Sequence, residues 1–370
     1  MSTSQIYLGL MSGTSIDSID AAAMAFSEGK LQLLGTHAEP IPAHLKQQII
    51  DLCQPGIDSV QLLCETDSQL GELFAQAALA LMHTENIKPE QIAAIGSHGQ
   101  TVRHSPPAPG TTAFTQQVGD PNIIAARTGC SVVADFRRKD MALGGHGAPL
   151  VPAFHKTLFS GTELNRVIAN IGGISNITIL PTDGSCYGFD TGPGNLLLDA
   201  WCDKYTGNSY DDRGSWGAAG QVCQDLLNQL MAHPFISQAA PKSTGREMFN
   251  LAWLEQQLSD FNLTAVDVQA TLVSFTTQSL TGAIKKLNQP VDEVYICGGG
   301  VFNDELVAQL QTALGSTPLH STQRLGLDPT WVEACAFGWL AHQRINNLPG
   351  NLPSVTGASR EAVLGALYLP

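Results

Sequence analysis

The sequence of 370 residues contains little charge, few aromatic side chains and, above all, few positive charges. Charged residues make up 14% of the chain and aromatic residues 6%, and 19 Lys and Arg residues oppose 33 Asp and Glu residues. The resulting net charge of -14 argues against nucleic acid or an anionic membrane as a partner. An anionic substrate would therefore need a local basic pocket.

The eight cysteines are scattered and form none of the usual cysteine motifs. The sequence has no C-x-x-C pair and no histidine at the spacing of zinc ligands, so we expect free thiols. No charged segment followed by a short apolar segment opens the chain, and no apolar run approaches the ~20 residues that a membrane span needs. We therefore expect a cytoplasmic protein in a reducing compartment.

Three common signatures of nucleotide and hydrolase sites are also missing. The sequence has no G-x-x-x-x-G-K-[ST], no G-x-G-x-x-G and no G-x-S-x-G. No motif therefore supports a P-loop, a dinucleotide-binding site or a hydrolase nucleophile. The triplet Asp190-Thr191-Gly192 does spell the aspartic-protease signature. Those proteases need two carboxylates that share a proton, and because the triplet occurs once, only a homodimer would supply the second.

What is present is organised around residues 188–195, which read Gly-Phe-Asp-Thr-Gly-Pro-Gly-Asn. Two predicted strands, 166–171 and 176–180, precede this octet, and the apolar run 196–201 that follows can begin a helix. The pattern predicts Asp190 at a strand end, beside backbone that turns sharply and leaves its amides bare. That arrangement suits phosphate or sugar chemistry, and an ordinary Asp-led turn is the alternative.

The start of the chain has a similar order of elements. A predicted strand at 6–11 leads into a polar hairpin at 12–20, and predicted strands follow at 21–26 and 31–34. The hairpin is rich in small hydroxyl and glycine residues, whose amides can surround a phosphate. It also carries two acids that repel phosphate unless a cation such as magnesium lies between them. A Ser/Thr turn without a ligand is the alternative.

The two halves of the chain thus appear duplicated in architecture. Residues 167–173, 177–180 and 186–190 repeat the order strand, hairpin, strand, strand. The length also exceeds what one hydrophobic core usually supports, which favours two α/β domains. Two lobes facing each other would place both hairpins across one cleft.

Three further stretches carry candidate residues. His98 follows a predicted strand between glycines, which either exposes the imidazole to a cleft or buries it against backbone. Residues 137–139, Arg-Arg-Lys, are the densest positive cluster and predict a carboxylate or phosphate clamp, with a solvated turn as the alternative. The glycine run 298–300 lies between a buried strand and a helix, as in nucleotide or anion sites. Glu333, early in a helix predicted over 329–345, lies at a pocket wall or at the surface.

Taken together, these stretches resemble the anhydro-N-acetylmuramic acid kinases of bacterial cell-wall recycling. The matching segments are 9–15, 96–101, 135–140, 147–152, 170–176, 188–195, 241–247 and 297–303. The resemblance implies the two-lobed α/β fold of actin, hexokinase and Hsp70, a ribonuclease H-like fold with mixed β-sheets and a central cleft. It also implies a first lobe of residues 1–134 with 346–370, and a second lobe of residues 135–345 that holds the adenosine site.

Three positions depart from the family pattern: Ser18 where glycine is usual, His146 where glutamine is frequent and Lys139 where arginine is frequent. Ser18 matters most, because a serine costs about 1 kcal/mol if the hairpin needs a positive φ at that position.

The resemblance implies a chemistry in which water opens the 1,6-anhydro ring and ATP phosphorylates O6. Asp190 is the implied base. The implied ATP- and phosphate-binding residues are Gly13, Thr14, Ser15, Ile16, Asp17, Ser18, Ile19, Asp20, Gly172, Gly173, Gly298, Gly299, Gly300 and Asn303. Asp17 and Asp20 would also hold Mg²⁺ through water. The implied sugar-binding residues are His98, Gln100, Asp135, Arg137, Arg138, Asn195 and Glu333.

The implied partners are ATP and 1,6-anhydro-N-acetylmuramic acid, with no nucleic acid and no membrane. The oligomeric state stays open between a monomer and a homodimer. Two alternatives remain on the same fold: a sugar or carboxylate kinase that opens no ring, and a non-catalytic sugar sensor gated by nucleotide.

Overall fold

The computed structural model describes residues 5–27, 30–54, 56, 59–240, 242–246 and 248–370. The chain forms two compact units, one of residues 1–158 with 331–370 and the other of residues 159–330. The sequence placed the lobe boundaries at 134/135 and 345/346, so residues 135–158 and 331–345 belong to the first unit instead. The second of these segments is mostly one helix, which packs against strands of the first unit.

The first unit is formed mainly by the amino-terminal part of the chain. Its elements are β1 (Ile6–Ser12), β2 (Ser18–Ser27), β3 (Lys30–Pro40), α1 (Ala43–Cys53), α2 (Val60–Thr84), β4 (Ile92–Ser97), β5 (Gln100–Ser105), β6 (Phe114–Val118), α3 (Pro121–Thr128), β7 (Val132–Ala134), α4 (Arg137–Ala142) and α5 (Val151–Phe159).

The second unit follows from β8, and the chain then returns to the first. The second unit holds β8 (Arg166–Ile171), β9 (Ile174–Leu180), β10 (Tyr187–Pro193), α6 (Leu196–Thr206), α7 (Ser215–Ala218), α8 (Gln224–Met231), α9 (Pro234–Ser237), α10 (Leu251–Gln257), α11 (Ala265–Lys285), β11 (Glu293–Cys297), α12 (Asp304–Leu314) and β12 (Leu319–Ser321). The returning segment holds α13 (Val332–Ile345), α14 (Pro353–Thr356) and β13 (Ala366–Tyr368). Short 3-10 turns lie at Pro89–Gln91, Asp212–Gly214, Gly299–Phe302 and Thr322–Leu325.

The two main sheets share one strand order. The first reads β13-β7-β4-β1-β2-β3 and the second β10-β9-β8-β11-β12. In each, three consecutive strands pair antiparallel, and the first of them also pairs parallel with a later strand, β4 or β11. The predicted duplication and the mixed α/β class are therefore confirmed, because short apolar runs set both three-strand units.

Helix α13 lies unusually close to the first sheet. A Cβ atom on Gly9 would collide with the carbonyl of Ala334, and one on Gly96 would collide with that of Phe337. Only glycine fits where a helix backbone approaches a strand this closely. The predicted helix over 329–345 is thus confirmed, although it begins at Val332.

The structure corrects two details of the predicted strands. β10 continues through Asp190 to Pro193, with a register shift between Asp190 and Gly192, so the acid lies at a β-bulge and not at a strand end. β2 begins at Ser18, so Ser18, Ile19 and Asp20 lie in the strand and not in the hairpin. Both errors arise because glycine and small polar residues are compatible with bulges and strand ends as well as with turns.

All eight cysteines are free thiols. Within the described residues, no helix is both long enough and apolar enough to cross a lipid bilayer.

Candidate functional site

Asp190 is held by backbone from a distant loop. Its N–H donates to the carbonyl of Lys242 at 3.2 Å, and its Oδ2 accepts from the N–H of Thr244 at 2.9 Å. Because β10 is an edge strand, its outer backbone groups are open to such a partner. Loop 242–246 therefore fixes both the main chain and the carboxylate of Asp190. The flanking residues Pro241 and Glu247 of the predicted segment lie outside the described residues.

Lys242 anchors this loop through a buried ammonium group. The residue is 6% exposed, and its Nζ donates to the carbonyls of Phe235 at 2.9 Å and Ile236 at 3.3 Å. The same Nζ lies 4.5 Å from the centre of the Phe235 ring. Burial lowers the pKa of Lys242, Lys286 lowers it further, and Asp190 partly offsets both effects.

The octet around Asp190 also contains structural residues. Ser175 Oγ lies 2.7 Å from Thr191 Oγ1 and donates to the carbonyl of Gly192 at 3.1 Å. Both side chains are fully buried. Their bonds join β9 to β10 beside the bulge, so Thr191 supports the position of Asp190 and has no room for a ligand.

The structure brings together several predicted phosphate residues at the ends of β8 and β11. The N–H of Asn195 donates to the Gly172 carbonyl at 2.8 Å, and the N–H of Gly194 donates to the Gly173 carbonyl at 2.9 Å. Asn195 Nδ2 also donates to the carbonyl of Ile171 at 3.2 Å, and a Cβ on Gly299 would lie 3.5 Å from that nitrogen. Turn 172–173, Asn195 and the glycine run therefore form one cluster.

Two residues of the glycine run pack too tightly for any side chain. A Cβ on Gly298, whose φ is +81°, would collide with the Asn170 side chain, and one on Gly300 would collide with Ile171. The run forms a 3-10 turn before α12, and Asn303 caps that helix by accepting from the Leu306 N–H at 2.9 Å. The side-chain oxygen of Asn303 is therefore engaged within the protein.

The hairpin between β1 and β2 divides into ligand-accessible and core residues. Ile16 and Ile19 are buried, so their side chains belong to the core of the first unit. Ile16 has φ +57°, whereas Ser18 adopts no positive φ. The backbone strain expected at Ser18 therefore lies at Ile16, and the Ser18 hydroxyl instead donates to Asp20 at 2.8 Å.

Asp17 and Asp20, the predicted magnesium ligands, lie in the hairpin and at the start of β2. Asp17 pairs with Lys46 at 2.6 Å, and burial followed by the negative charge of Asp17 raises the pKa of Asp20, which the Ser18 hydrogen bond partly lowers. Among the described residues, no three His, Cys, Asp or Glu side chains form a ligand cluster. Magnesium commonly uses one or two carboxylates, several waters and substrate phosphates. Asp17 is engaged by Lys46 and Asp20 by Ser18, so a water-mediated magnesium site at these two acids stays a prediction.

His98 lies buried against Arg137 and the backbone, which is one of its two predicted alternatives. Its Nδ1 donates to the Gly99 carbonyl at 2.8 Å, and its Nε2 accepts from Arg137 Nη2 at 2.8 Å and Nε at 3.1 Å. Arg137 Nη1 also donates to the Gly147 carbonyl at 2.8 Å. Burial, followed by the Arg137 charge, holds the pKa of His98 well below 6.5, so the imidazole is neutral.

Gln100 connects the His98 segment to the hairpin. Its Oε1 accepts from the Ser12 hydroxyl at 2.6 Å, and Ser12 is the last residue of β1. The His98 N–H donates to the Leu10 carbonyl at 3.0 Å on the same strand. His98 and Gln100 thus lie at the same end of the first sheet as residues 13–17.

Arg137 and Arg138 have different surroundings. Arg137 is half-buried against His98, whereas the Arg138 side chain is 55% exposed and donates to Gln116 Oε1 at 2.7 Å. Arg138 also lies 3.7 Å from Asp135, whose φ of +58° is unusual for a residue other than glycine. His98, Asp135 and Arg138 line a cavity of about 310 Å³.

Sequence analysis missed two polar residues of this region. The Ser97 side chain is buried beside that cavity, and its hydroxyl has no hydrogen-bond partner among the residues that the structure describes. Asp140 is fully buried and accepts from the Gly147 N–H at 2.8 Å and from Asn351 and Thr356 at 2.7 Å each. Asp140 was visible in the matched segment 135–140, but only the fold brings its partners from positions 351 and 356.

Glu333 is half-buried in the first turn of α13, next to buried Ala334 and on the same helix as Phe337. It therefore belongs to the first unit, like the residues around His98.

Comparison with known proteins decides the family. The sequence profile of the anhydro-N-acetylmuramic acid kinases matches residues 5–370. The chain belongs to that family. It is therefore a kinase, and family membership supports ATP as its phosphoryl donor and a sugar as its acceptor.

Individual members of the family are close in sequence. The chain is 53% identical over 364 residues to the anhydro-N-acetylmuramic acid kinase of Shewanella loihica, with 98% of each chain covered. It is 52% identical over the same length to that of Shewanella putrefaciens, again with 98% of each covered.

One solved structure with a similar fold is more distant in sequence than these family members. The (R)-2-hydroxyglutaryl-CoA dehydratase component A of Acidaminococcus fermentans superposes with a TM-score of 0.48 at 13% identity, covering 90% of this chain and 96% of the other. That likeness carries no inference about function.

Proposed function

We propose that this kinase hydrolyses the 1,6-anhydro ring of 1,6-anhydro-N-acetylmuramic acid and phosphorylates O6 with ATP. The product is N-acetylmuramic acid 6-phosphate, and the reaction belongs to cytoplasmic recycling of peptidoglycan. The observation that carries the proposal is the family match over residues 5–370, which includes the segment around Asp190.

The proposed reaction couples two displacements. The oxygen of water forms a bond to C1 of the sugar as the C1–O6 bond breaks. O6 then forms a bond to the γ-phosphorus as the bond from that phosphorus to ADP breaks. Asp190 receives the proton of the attacking water, so the net products are the sugar phosphate, ADP and a proton.

The contacts of Asp190 support its role as the base. The Thr244 N–H bonded to Oδ2 at 2.9 Å restricts the rotation of the carboxylate. The buried ammonium of Lys242 adds a nearby positive charge. A base that is already oriented loses little entropy when water binds.

Residues 13–17 are proposed to bind the phosphates, and the cluster of Gly172, Gly173 and Gly298–Gly300 is proposed to bind the rest of the nucleotide. At Gly172 and Gly299 a Cβ would meet no atom closer than 3.5 Å, and glycines with such open space suit close approach of a phosphate or a ribose. Asp17 and Asp20 are proposed to hold Mg²⁺ through water, and Mg²⁺ would neutralise charge on the transferred phosphoryl group.

Arg137 is proposed to bind the lactyl carboxylate of the sugar. Its guanidinium is already oriented by His98 and by the Gly147 carbonyl, and an oriented guanidinium recognises a carboxylate at a small entropic cost. Gln100, Asn195 and Glu333 are proposed to contact sugar hydroxyls. The lactyl group is absent from ordinary hexoses, so this contact would select muramic acid derivatives.

Mass spectrometry of product made in heavy-oxygen water tests the proposal. The expected product carries one phosphoryl group and one heavy oxygen at C1, with one ADP released per sugar. A phosphorylated product without heavy oxygen would mean phosphoryl transfer to an existing hydroxyl, as in a kinase that opens no ring. Sugar binding without ADP release would mean a nucleotide-gated sensor. N-acetylmuramic acid, which has no anhydro bridge and a free hydroxyl at C6, is the matched control substrate.

A further inference from the structure

A second cavity of the first unit has a strongly positive lining. It has a volume of about 550 Å³, and its lining includes Arg138, Lys139, Arg344, Asp135 and Asn347. Three cationic side chains and one carboxylate give this lining a formal charge of +2, in a chain whose net charge is -14. Since positive residues are scarce in this sequence, three of them around one cavity indicate an anion.

The walls of this cavity are fixed by backbone. Three of its lining residues have positive φ: Asp135 at +58°, Asn347 at +55° and Gly365 at +85°. Arg344 Nε donates to the Gly365 carbonyl at 3.0 Å, which joins the end of α13 to the chain just before β13. A Cβ on Gly365 would collide with Val133 and contact Phe136. These backbone conformations and the Arg344–Gly365 hydrogen bond therefore fix the shape of the cavity wall.

Two of its cations have donors available for a ligand. Lys139 is exposed, and no hydrogen bond or ion pair joins its Nζ to any described residue. Arg344 uses Nε for Gly365, and within the described residues its two terminal nitrogens make no hydrogen bond. A planar guanidinium and a flexible ammonium together can surround a tetrahedral anion from two sides.

We propose that this cavity binds a small dianion, namely inorganic phosphate or the phosphate group of a phosphorylated metabolite. The formal charge of +2 matches a dianion, and the net negative charge of the protein disfavours anions at other surfaces. The cavity shares none of its lining with the residues proposed for nucleotide. It shares Arg138 and Asp135 with the cavity of about 310 Å³ beside His98, so the two sites are neighbours.

Isothermal titration calorimetry with inorganic phosphate tests this inference. The full chain is titrated in phosphate-free buffer with a saturating non-hydrolysable ATP analogue, so that phosphate cannot enter a triphosphate site. We expect one site in the unmodified protein and an affinity about tenfold lower in Lys139→Gln, because a charge-assisted hydrogen bond is lost. The Lys139→Gln/Arg344→Gln double variant should show no binding, and Asp135→Asn should bind more tightly.

Lys88→Gln is the matched control, because Lys88 is an exposed lysine of the same unit away from the cavity. Equal losses of affinity in Lys88→Gln and Lys139→Gln would overturn the proposal, as would no binding by the unmodified protein at millimolar phosphate. Melting temperatures show whether each variant is folded. Lys139→Gln removes an exposed side chain, so it keeps the test valid if the Arg344 variant does not fold. Glucose 6-phosphate and phosphate, titrated in parallel, distinguish a phosphorylated metabolite from the free ion.

Discussion

The backbone N–H of Thr244 donates to Asp190 Oδ2 at 2.9 Å across 54 positions of sequence. The carbonyl of Lys242, in the same loop, accepts a hydrogen bond from the Asp190 N–H. An acid whose carboxylate and main chain are both bonded to the backbone of one loop has a defined orientation, which a general base needs and which an ordinary surface acid lacks.

Asp190→Asn should keep this geometry and remove the base. The amide oxygen of asparagine can still accept from Thr244, so we expect kcat to fall by about 10²–10⁴-fold, the usual contribution of a general base. ATP affinity, measured by calorimetry, should stay unchanged. Asp203→Asn, at an exposed acid of α6, is the matched control. A near-normal rate in Asp190→Asn would show that another group deprotonates water.

Lys242→Met should disturb the position of Asp190 without lowering the stability of the protein. Methionine has a similar length but cannot donate to Phe235 and Ile236, so the loop that holds Asp190 should loosen. We expect kcat to fall by about tenfold with little change in KM for ATP. The melting temperature should change little or rise, because burying an ammonium without a carboxylate partner is costly. Steady-state kinetics and thermal denaturation measure both effects.

The matched control is Lys285→Met, at an exposed lysine in the last turn of α11. If Lys242 acts through Asp190, adding Lys242→Met to Asp190→Asn should lower the residual rate no further. A further tenfold loss in the double variant would mean that the two residues act independently.

Arg137→Ala and Arg138→Ala should differ in how much they weaken binding of the anhydro sugar. Arg137 is oriented by His98, so its loss should weaken binding of the anhydro sugar by about tenfold or more, since a charge-assisted pair is lost. Arg138→Ala should have the smaller effect, because that side chain is 55% exposed. Calorimetry with the sugar and with ATP measures both. Equal losses for the two ligands would instead assign the arginines to the phosphates.

The lowered pKa of His104 should make the stability of the protein sensitive to acid. Burial, then the charges of Arg137 and His146, lower the pKa of His104 from 6.5 to about 4. The unfolded chain therefore takes up a proton near pH 6.5 and the folded chain only near pH 4. The stabilisation from neutral His104 is complete above pH 6.5 and is lost progressively as the pH falls towards 4, in total by roughly 3 kcal/mol.

Thermal denaturation between pH 7 and pH 4 measures this loss as a function of pH. In His104→Gln, whose side chain does not titrate, the dependence of stability on pH should be shallower than in the unmodified protein. Exposed His83, in the last turn of α2, supplies the control variant His83→Gln, which should keep the original slope. Parallel curves for all three proteins would contradict the assignment.

Apolar runs in the sequence predicted the strands well and their connections less well. β1–β3 and β8–β10 were predicted from such runs, which are a local feature of the sequence. The β-bulge at Asp190 and the positive φ of Ile16 did not follow, because both are fixed by tertiary contacts: loop 242–246 in one case and burial of Ile16 in the other. Local sequence patterns contain no information about partners so far away in the sequence.

Prediction of the candidate site from the sequence had the same limit. Residues 98, 137 and 190 were identified from motifs, but the bond from Arg137 to His98 and the bond from Thr244 to Asp190 required the fold. Asp140 and Ser97 were missed because a buried acid and a buried serine have no spacing signal of their own. The placement of α13 in the first unit likewise depends on packing between segments far apart in sequence.

The two glycines beneath α13 extend this dependence to Glu333. Any side chain at Gly9 or Gly96 would push against the carbonyls of Ala334 or Phe337 and lift the helix from the sheet. Glu333 lies in the first turn of that helix and would be displaced with it. One added methyl group near the amino terminus would thus move an acid near the opposite end of the chain. If Glu333 contacts the sugar as proposed, a glycine without any proposed role in binding determines how well the sugar is held.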